Sequence, residues 1–195
     1  SYCKGIQGTL SIPDSIITIE SRAFIHCSGI SQFEIGSGMK EINSYTFSYC
    51  TGFIGTLVIP DTILKVNSFS FSYCEGITEI QFSQNTTEIE SYSFICCRGL
   101  NKLNIPSWIT SIESYSFAYC NGIKGTLIIP DNVENIGNYA FLNCTGINEI
   151  KMSRNITEIG LFVFSHCEGI ERLEIPEYVT RIESYAFTFC IGIGG

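Results

Sequence analysis

The stretch LEIPEYVTRIESYAFTFC, residues 173–190, holds every element of a pattern that recurs along the whole 195-residue chain. A Leu-x-Ile-Pro segment comes first, two apolar residues three positions apart follow, and a Phe three residues before a Cys ends the unit. This Phe-x-x-Cys pair occurs eight times, and successive pairs lie 23 or 24 residues apart. Self-similarity at a fixed period of this length is typical of solenoid proteins, in which each repeat forms one coil.

The cysteine spacing divides the chain into eight complete units. We place them at residues 4–27, 28–50, 51–74, 75–97, 98–120, 121–144, 145–167 and 168–190. Unit lengths of 24, 23 and 23 residues occur in the same order in 51–120 and 121–190, so the larger repeat is a triplet of units. The last residues, TFCIGIGG, superpose in phase on the first, SYCKGIQG. We therefore expect one solenoid that is a window of a longer array.

Each unit combines a strand pattern with a turn pattern. Alternating apolar and polar residues in Leu-x-Ile-Pro predict a short β-strand that the proline ends. A Ser three residues before most of the Phe residues is placed to cap a short helical turn, with Phe and Cys on its inner side. The predicted fold is an α/β-type repeat solenoid: a right-handed coil of 23–24 residues per turn, with one parallel β-sheet and short helical turns opposite.

The core should receive one Phe and one Cys from each unit. These predicted core residues are Phe24, Cys27, Phe47, Cys50, Phe71, Cys74, Phe94, Cys97, Phe117, Cys120, Phe141, Cys144, Phe164, Cys167, Phe187 and Cys190. A single file of thiols about 5 Å apart does not supply the tetrahedral ligand set that zinc needs, so we expect no metal and no cofactor. A stack of reduced thiols is favoured over a disulfide series. Cys96 lies outside the column, and we expect it to be exposed.

The unit G-[IL]-x-x-L-x-I-P-x-x-[IV]-T-x-I-x-x-Y-x-F-x-x-C resembles the BspA-like leucine-rich repeat family over essentially the whole chain. Family units read much like L-x-x-I-x-I-P-x-x-V-T-x-I-G-x-x-A-F-x-x-C, and LIIPDNVENIGNYAFLNC at 127–144 is a near-complete instance. Gly36, Ser83 and Ser153 replace the proline and Thr86 replaces an apolar residue, so we expect looser coils there. The resemblance implies a surface-exposed or secreted protein of mucosal bacteria or parasitic protists, without catalytic residues.

Composition excludes several classes of function. A net charge of −8 without Lys/Arg clusters argues against a nucleic-acid partner. No apolar stretch approaches the roughly 18 residues that a membrane-spanning helix needs. The only histidines, His26 and His166, lie in distant units away from any nucleophile arrangement, so we do not expect an enzyme.

Two surfaces are candidates for binding a partner, and one set of asparagines is a candidate for glycosylation. The outward residues of the predicted strands are Glu34, Val58, Gln81, Asn104, Ile128, Lys151 and Glu174, although a merely solvated sheet face explains them equally well. The second surface is an aromatic ribbon of residues two positions before and two positions after the core Phe, unless these rings only cover the seams between coils. Its members are Tyr45/Tyr49, Phe69/Tyr73, Tyr115/Tyr119 and Tyr185/Phe189, with Tyr49, Tyr73 and Tyr119 as the candidate binding residues. The sequon asparagines are Asn85, Asn143 and Asn155, and chance occurrence is an open alternative.

The family resemblance and the exposed columns together predict a non-enzymatic cell-surface or secreted protein that mediates adhesion or protein binding. Its partner would be a protein of the host matrix, a host cell or another microbe. The alternative is a self-assembling fibre or coat protein in which solenoids stack end to end through their terminal coils.

Overall fold

The computed structural model describes residues 5–193, which wind into stacked coils. Strands of the first set follow the Leu-x-Ile segments: β1 Gly8–Ile12, β2 Ile30–Ile35, β4 Gly55–Val58, β6 Ile77–Gln81, β9 Gly125–Ile128, β11 Ile147–Lys151 and β13 Arg172–Leu173. Two-residue strands form the second set: β3 Glu41–Ile42, β5 Lys65–Val66, β7 Glu88–Ile89, β8 Ser111–Ile112, β10 Asn135–Ile136, β12 Glu158–Ile159 and β14 Arg181–Ile182. All strand pairs are parallel.

The described strands do not form the single sheet that we predicted. They pair as six small sheets: β1-β2, β4-β6 and β9-β11-β13 in the first set, and β3-β5, β7-β8-β10 and β12-β14 in the second. In the unit at 98–120 the first set is reduced to an isolated bridge between Glu79 and Lys102, which interrupts the sheet there. The architecture is therefore a parallel β-solenoid with two interrupted columns of strands.

The prediction of short helical turns is wrong, because residues 5–193 contain no helix. Phe47 and Cys50 do lie three residues apart in a turn, and the Cys50 N–H donates to the Phe47 carbonyl. Tyr49 between them has a φ of 60°, however, and Tyr45 has a φ of 59°. Positive φ at the third residue is what a type II turn requires and what an α-helix does not allow. Each unit therefore makes successive tight turns.

Hydrogen bonds to the next coil hold these left-handed residues in place. Three N–H groups of one turn donate to three carbonyls of the following turn; the pairs for one coil are Tyr45–Ser68, Phe47–Ser70 and Tyr49–Ser72, at 3.3, 2.9 and 2.8 Å. A left-handed non-glycine residue costs about 1–2 kcal/mol. Leaving a buried N–H without an acceptor costs about as much or more, so the ladder between coils decides the backbone conformation.

The extra residue of the 24-residue units is a glycine at the start of a strand. Gly8, Gly55 and Gly125 have φ values of 85°, 114° and 79°, and the pairing register shifts beside each of them. A positive φ costs glycine little, so each position absorbs the insertion as a bulge. Units of 23 and 24 residues consequently stack without displacing the core columns.

The core is a file of stacked phenylalanine rings. Neighbouring ring centroids from Phe24 to Phe187 are 5.4–5.8 Å apart. Phe47 to Phe164 are fully buried, whereas Phe24 and Phe187, in the first and last complete units, are half-buried. Glycine follows each Cys by two residues because the coils approach closely there: a Cβ on Gly76 would lie 2.0 Å from the Phe53 carbonyl oxygen.

The cysteine column fills the space beside the rings and satisfies backbone carbonyls. Sγ of Cys74 donates to the Phe47 carbonyl at 3.1 Å, and Sγ of Cys120 donates to the Phe94 carbonyl at the same distance. All predicted core cysteines are buried, and those from Cys74 to Cys190 are free thiols. Burial raises the pKa of the Cys74 thiol to about 12. The thiol acts as a small apolar group with one weak donor.

Cys96 is not exposed, which corrects the sequence prediction. Its exposed fraction is 5%, because it lies with Ile95 and Ala118 in a small apolar cluster under the rings of Tyr73 and Tyr92. Burial, the largest influence, raises the pKa of this thiol. Cys96 is therefore a second buried cysteine of its unit rather than a reactive surface group.

Two of the three coils that lack the proline, those of Ser83 and Ser153, have fixed hydrogen bonds and are not loose, while looser packing at Gly36 stays a prediction. Ser153 is fully buried; its hydroxyl donates to the Val133 carbonyl at 2.6 Å and accepts the Asn155 N–H at 3.1 Å. Ser83 makes the equivalent bonds one triplet earlier. Thr86 is buried and donates to the Ser83 carbonyl at 3.0 Å. Serine here provides a donor that proline lacks, so these coils have their own fixed hydrogen bonds.

Candidate functional site

The outward face of the first strand set carries two parallel columns of side chains. The alternation is clear in β4, where Leu57 is buried and Val58 is 53% exposed. We call the residues at the Val58 position the central column: Glu34, Val58, Gln81, Asn104, Ile128, Lys151 and Glu174, all of them exposed. We call the residues two positions earlier the flanking column: Thr9, Gln32, Thr56, Glu79, Lys102, Thr126, Glu149 and Arg172.

Side chains of the flanking column bond to one another. Lys102 Nζ lies 2.7 Å from Glu79 Oε1 in an ion pair. Two coils further along the rod, the Thr126 hydroxyl donates to Glu149 Oε2 at 2.7 Å. Such exposed pairs contribute little stability, but they occupy the polar groups involved.

The central column differs, because its polar side chains make no hydrogen bond or ion pair with the described residues 5–193. Register places these side chains in line: Val58 lies beside Gln81, and Ile128 beside Lys151. Two of the seven are branched apolar residues, Val58 and Ile128, which are 53% and 55% exposed. The column therefore offers unsatisfied donors, acceptors and apolar surface along one line.

The turn side carries a continuous aromatic stack, of which the sequence analysis named Tyr45, Phe69, Tyr115 and Tyr185. It consists of the residues two positions before the core Phe: Tyr45, Phe69, Tyr92, Tyr115, Tyr139, Phe162 and Tyr185. Their ring centroids are 4.3–5.0 Å apart, with interplanar angles of 6–14°. The Arg22 guanidinium lies 4.8 Å above the Tyr45 ring at one end. The signal was visible in the sequence as an aromatic residue at each of these positions from 45 to 185.

The predicted ribbon of Tyr49, Tyr73 and Tyr119 is not continuous. Tyr49 and Tyr73 stack at 4.3 Å, but Cys96 occupies the next rung and separates them from Tyr119. The adjacent ionisable Cys96 thiol, followed by burial, raises the pKa of Tyr73 to about 12. In the continuous stack from Tyr45 to Tyr185, neighbouring rings cover the ring faces, so mostly ring edges face the solvent there. A partner-binding role of these three tyrosines stays a prediction.

The sequon asparagines occupy two different environments. The Nδ2 atoms of Asn85 and Asn155 each donate to the carbonyl of an aspartate in the preceding coil, Asp61 or Asp131, at 2.7 Å. Asn143 is half-buried in the turn and has a φ of 59°. The amide groups of Asn85 and Asn155 thus link coils, and glycosylation of the three asparagines stays a prediction.

The two histidines belong to the stacked columns. His26 stacks on Tyr49 and His166 on Phe189, both with ring centroids 4.4 Å apart. Among residues 5–193, no three or more His, Cys, Asp or Glu side chains are grouped so that they could hold a metal ion. The same residues include no helix long and apolar enough to cross a lipid bilayer.

Comparison with known families agrees with this arrangement of coils. The model of the BspA-type leucine-rich repeat region matches six copies over residues 1–124 and 125–194. The chain belongs to this family. No curated protein sequence matches the chain.

Solved structures similar to this BspA-type protein come from bacteria. A leucine-rich repeat protein from Eubacterium ventriosum has a TM-score of 0.67 at 19% identity, over 93% of this chain and 58% of that one. The T. pallidum leucine-rich repeat protein has a TM-score of 0.63 at 18% identity, over 95% of this chain and 78% of that one. The pneumococcal vaccine antigen PcpA has a TM-score of 0.60 at 16% identity, over 93% of this chain and 52% of that one. At these identities the comparison establishes the fold alone.

Proposed function

We propose that this BspA-type protein is a non-enzymatic cell-surface or secreted rod that binds another protein through its outward sheet face. The observation that carries the proposal is the central column, whose polar side chains are exposed and unpaired, whereas six of the eight side chains in the flanking column pair with one another. Polar groups without intramolecular partners exchange hydrogen bonds with water for hydrogen bonds with a ligand, and no contact within the protein has to break first.

The character of the family supports the same function. Leucine-rich repeats are thin scaffolds that present an extended surface rather than an enclosed pocket. The similar PcpA is described as a vaccine antigen, and proteins used in this way are commonly accessible at the cell surface. We therefore place the partner outside the cell, on host matrix, a host cell or another microbe.

The proposal is tested by adhesion of the purified protein to cultured epithelial cells and to surfaces coated with extracellular matrix proteins. The double variant Val58→Ser with Ile128→Ser removes the apolar surface of the central column. Leu64→Ser is the matched control, because Leu64 is 55% exposed but lies outside that column. We expect the double variant to lose most of the adhesion and the control to keep it. Equal adhesion by the two variants contradicts a binding role for the sheet face.

A second candidate is end-to-end assembly into a fibre. The aromatic rings of successive coils stack with interplanar angles of 6–14°, and a second copy of the chain could continue the same stacking through a terminal coil.

Sedimentation velocity over a range of protein concentrations separates the two candidates. Assembly predicts larger particles as concentration rises, and Tyr185→Ser with Phe189→Ser should abolish them. A monomer at every concentration removes the fibre hypothesis and leaves the binding rod. If the double variant still forms larger particles as its concentration rises, the contact between copies lies on another surface.

A further inference from the structure

The chemistry of the central column is ordered along the rod. From Glu34 to Lys151 its members are an acid, an apolar residue, two amides, an apolar residue and a base. The two apolar residues, Val58 and Ile128, are exposed to nearly the same extent. Opposite charges thus border a symmetric apolar-amide-amide-apolar segment.

The spacing of the two apolar residues distinguishes a strand from a helix as the partner. Parallel strands lie about 4.8 Å apart, so Val58 and Ile128, three coils apart, are separated by about 14 Å. An extended chain covers that distance in about four residues, an even number that keeps both side chains on one face. A helix needs about nine or ten residues, and side chains at that separation point to different faces.

The segment between the apolar residues suits an extended backbone. The side-chain amides of Gln81 and Asn104 are exposed and unpaired among the described residues. Each offers an N–H₂ donor and a carbonyl acceptor. Those are the groups that complement the free N–H and C=O groups of an extended peptide.

Charge differs between the two ends. Near Glu34, the flanking column supplies only the neutral Thr9 and Gln32, which pair with each other. Near Lys151, the opposite charges of Glu149 and Arg172 lie side by side in neighbouring strands and balance each other, which leaves the positive charge of Lys151. Glu174 follows Lys151 in the next coil and limits the positive region to that rung. An acidic group is favoured only beside Lys151, and a basic group beside Glu34.

We propose that the partner segment is an extended peptide lying along the rod axis, with two apolar side chains about four residues apart between a basic end and an acidic end. Val58 and Ile128 contact the apolar side chains, Gln81 and Asn104 bond the peptide backbone, and Glu34 and Lys151 pair with the two charged ends. This inference rests on the proposed function, because it specifies the partner of the same surface.

The test uses fluorescence anisotropy with labelled synthetic peptides and the whole protein. The matched peptide has Leu at its third and seventh positions, Lys first, Glu ninth and Ser elsewhere. The shifted peptide has the same composition, with the second Leu moved by one position to the opposite face. We expect the shifted peptide to bind about tenfold or more weakly, since it loses one apolar contact. Val58→Ser should weaken the matched peptide similarly, and Leu64→Ser should not.

The charged ends are tested separately. A peptide with its two charges exchanged could still bind, because it can lie in the opposite direction on the symmetric segment. We therefore compare the matched peptide with one that has Lys at both ends. The wild-type protein should prefer the matched peptide, and Lys151→Glu should prefer the peptide with two Lys residues. Retention of the wild-type preference by Lys151→Glu contradicts the assignment of the acidic end.

The inference and the proposed function fail in different ways. If Val58→Ser with Ile128→Ser abolishes adhesion but the matched and shifted peptides bind equally well or not at all, the extended-peptide inference is wrong and the sheet face still binds a partner. If adhesion survives the double variant, the proposed function itself is wrong.

Discussion

On the turn side of the solenoid, side chains and backbone both bond to the neighbouring coils. On the outward sheet face, the side chains of the central column make no hydrogen bond or ion pair with the described residues. Phe47, Cys50 and their equivalents have the same identity in every unit, and each ring stacks on the next. The central column changes residue type at nearly every coil. The difference indicates that the turn side maintains stacking, whereas the sheet face tolerates different residue types, as the proposed recognition role requires.

The largest expected effect comes from emptying the core. Phe94→Ala removes a fully buried ring from the stack and should lower the free energy of unfolding by about 3–5 kcal/mol. Val58→Ser, on the sheet face, should change it by no more than about 0.5 kcal/mol. Chemical denaturation of both variants measures the contrast, and similar losses for the two would mean that the sheet face also maintains the fold.

The next largest loss of stability is expected when a glycine beside the cysteine column is replaced by alanine. A Cβ on Gly76 meets the Phe53 carbonyl oxygen at 2.0 Å, so Gly76→Ala should cost about 3 kcal/mol through displacement of a coil. Thr51→Ala, at an exposed position directly after Cys50, is the control and should leave the denaturation midpoint unchanged. A harmless Gly76→Ala would show that the coils separate more easily than their spacing indicates.

Loss of the buried serine bonds should cost less. Ser153→Ala removes the hydroxyl that bonds to the Val133 carbonyl and to the Asn155 N–H. We expect it to lower the free energy of unfolding by about 1–3 kcal/mol. Ser107→Ala, at an exposed position in a coil that has the proline, serves as the control. Equal midpoints for the two variants would contradict the role assigned to Ser153.

The repeat period, the strand segments and the Phe and Cys core could be predicted from sequence, because burial restricts those positions to the same residue type in every unit. The turn conformation could not. Phe47 and Cys50 at a spacing of three fit a helix as well as successive turns, and only hydrogen bonds to the next coil distinguish the two. Likewise, the burial of Cys96 depends on rings from other coils, and Ser153 acts on a carbonyl twenty residues away.

The smallest effect concerns pH and the thiols. Burial raises the pKa of the Cys74 thiol from 9.0 to about 12, so the folded protein retains this proton where the unfolded chain releases it. The corresponding stability is present below pH 9 and should be lost as the pH rises towards 12. Thermal unfolding at pH 8 and pH 10 measures the trend. Alkylation of the native protein at pH 8 should leave Cys74, Cys97 and Cys120 unmodified, whereas their rapid labelling would contradict a buried column.

The central claim is that recognition and stability reside on different faces of the rod. Adhesion to cells and the denaturation midpoint, measured together for Val58→Ser with Ile128→Ser, test it most directly. We predict an unchanged midpoint and lost adhesion, with both properties retained in Leu64→Ser. Undiminished adhesion by the folded double variant would contradict the claim.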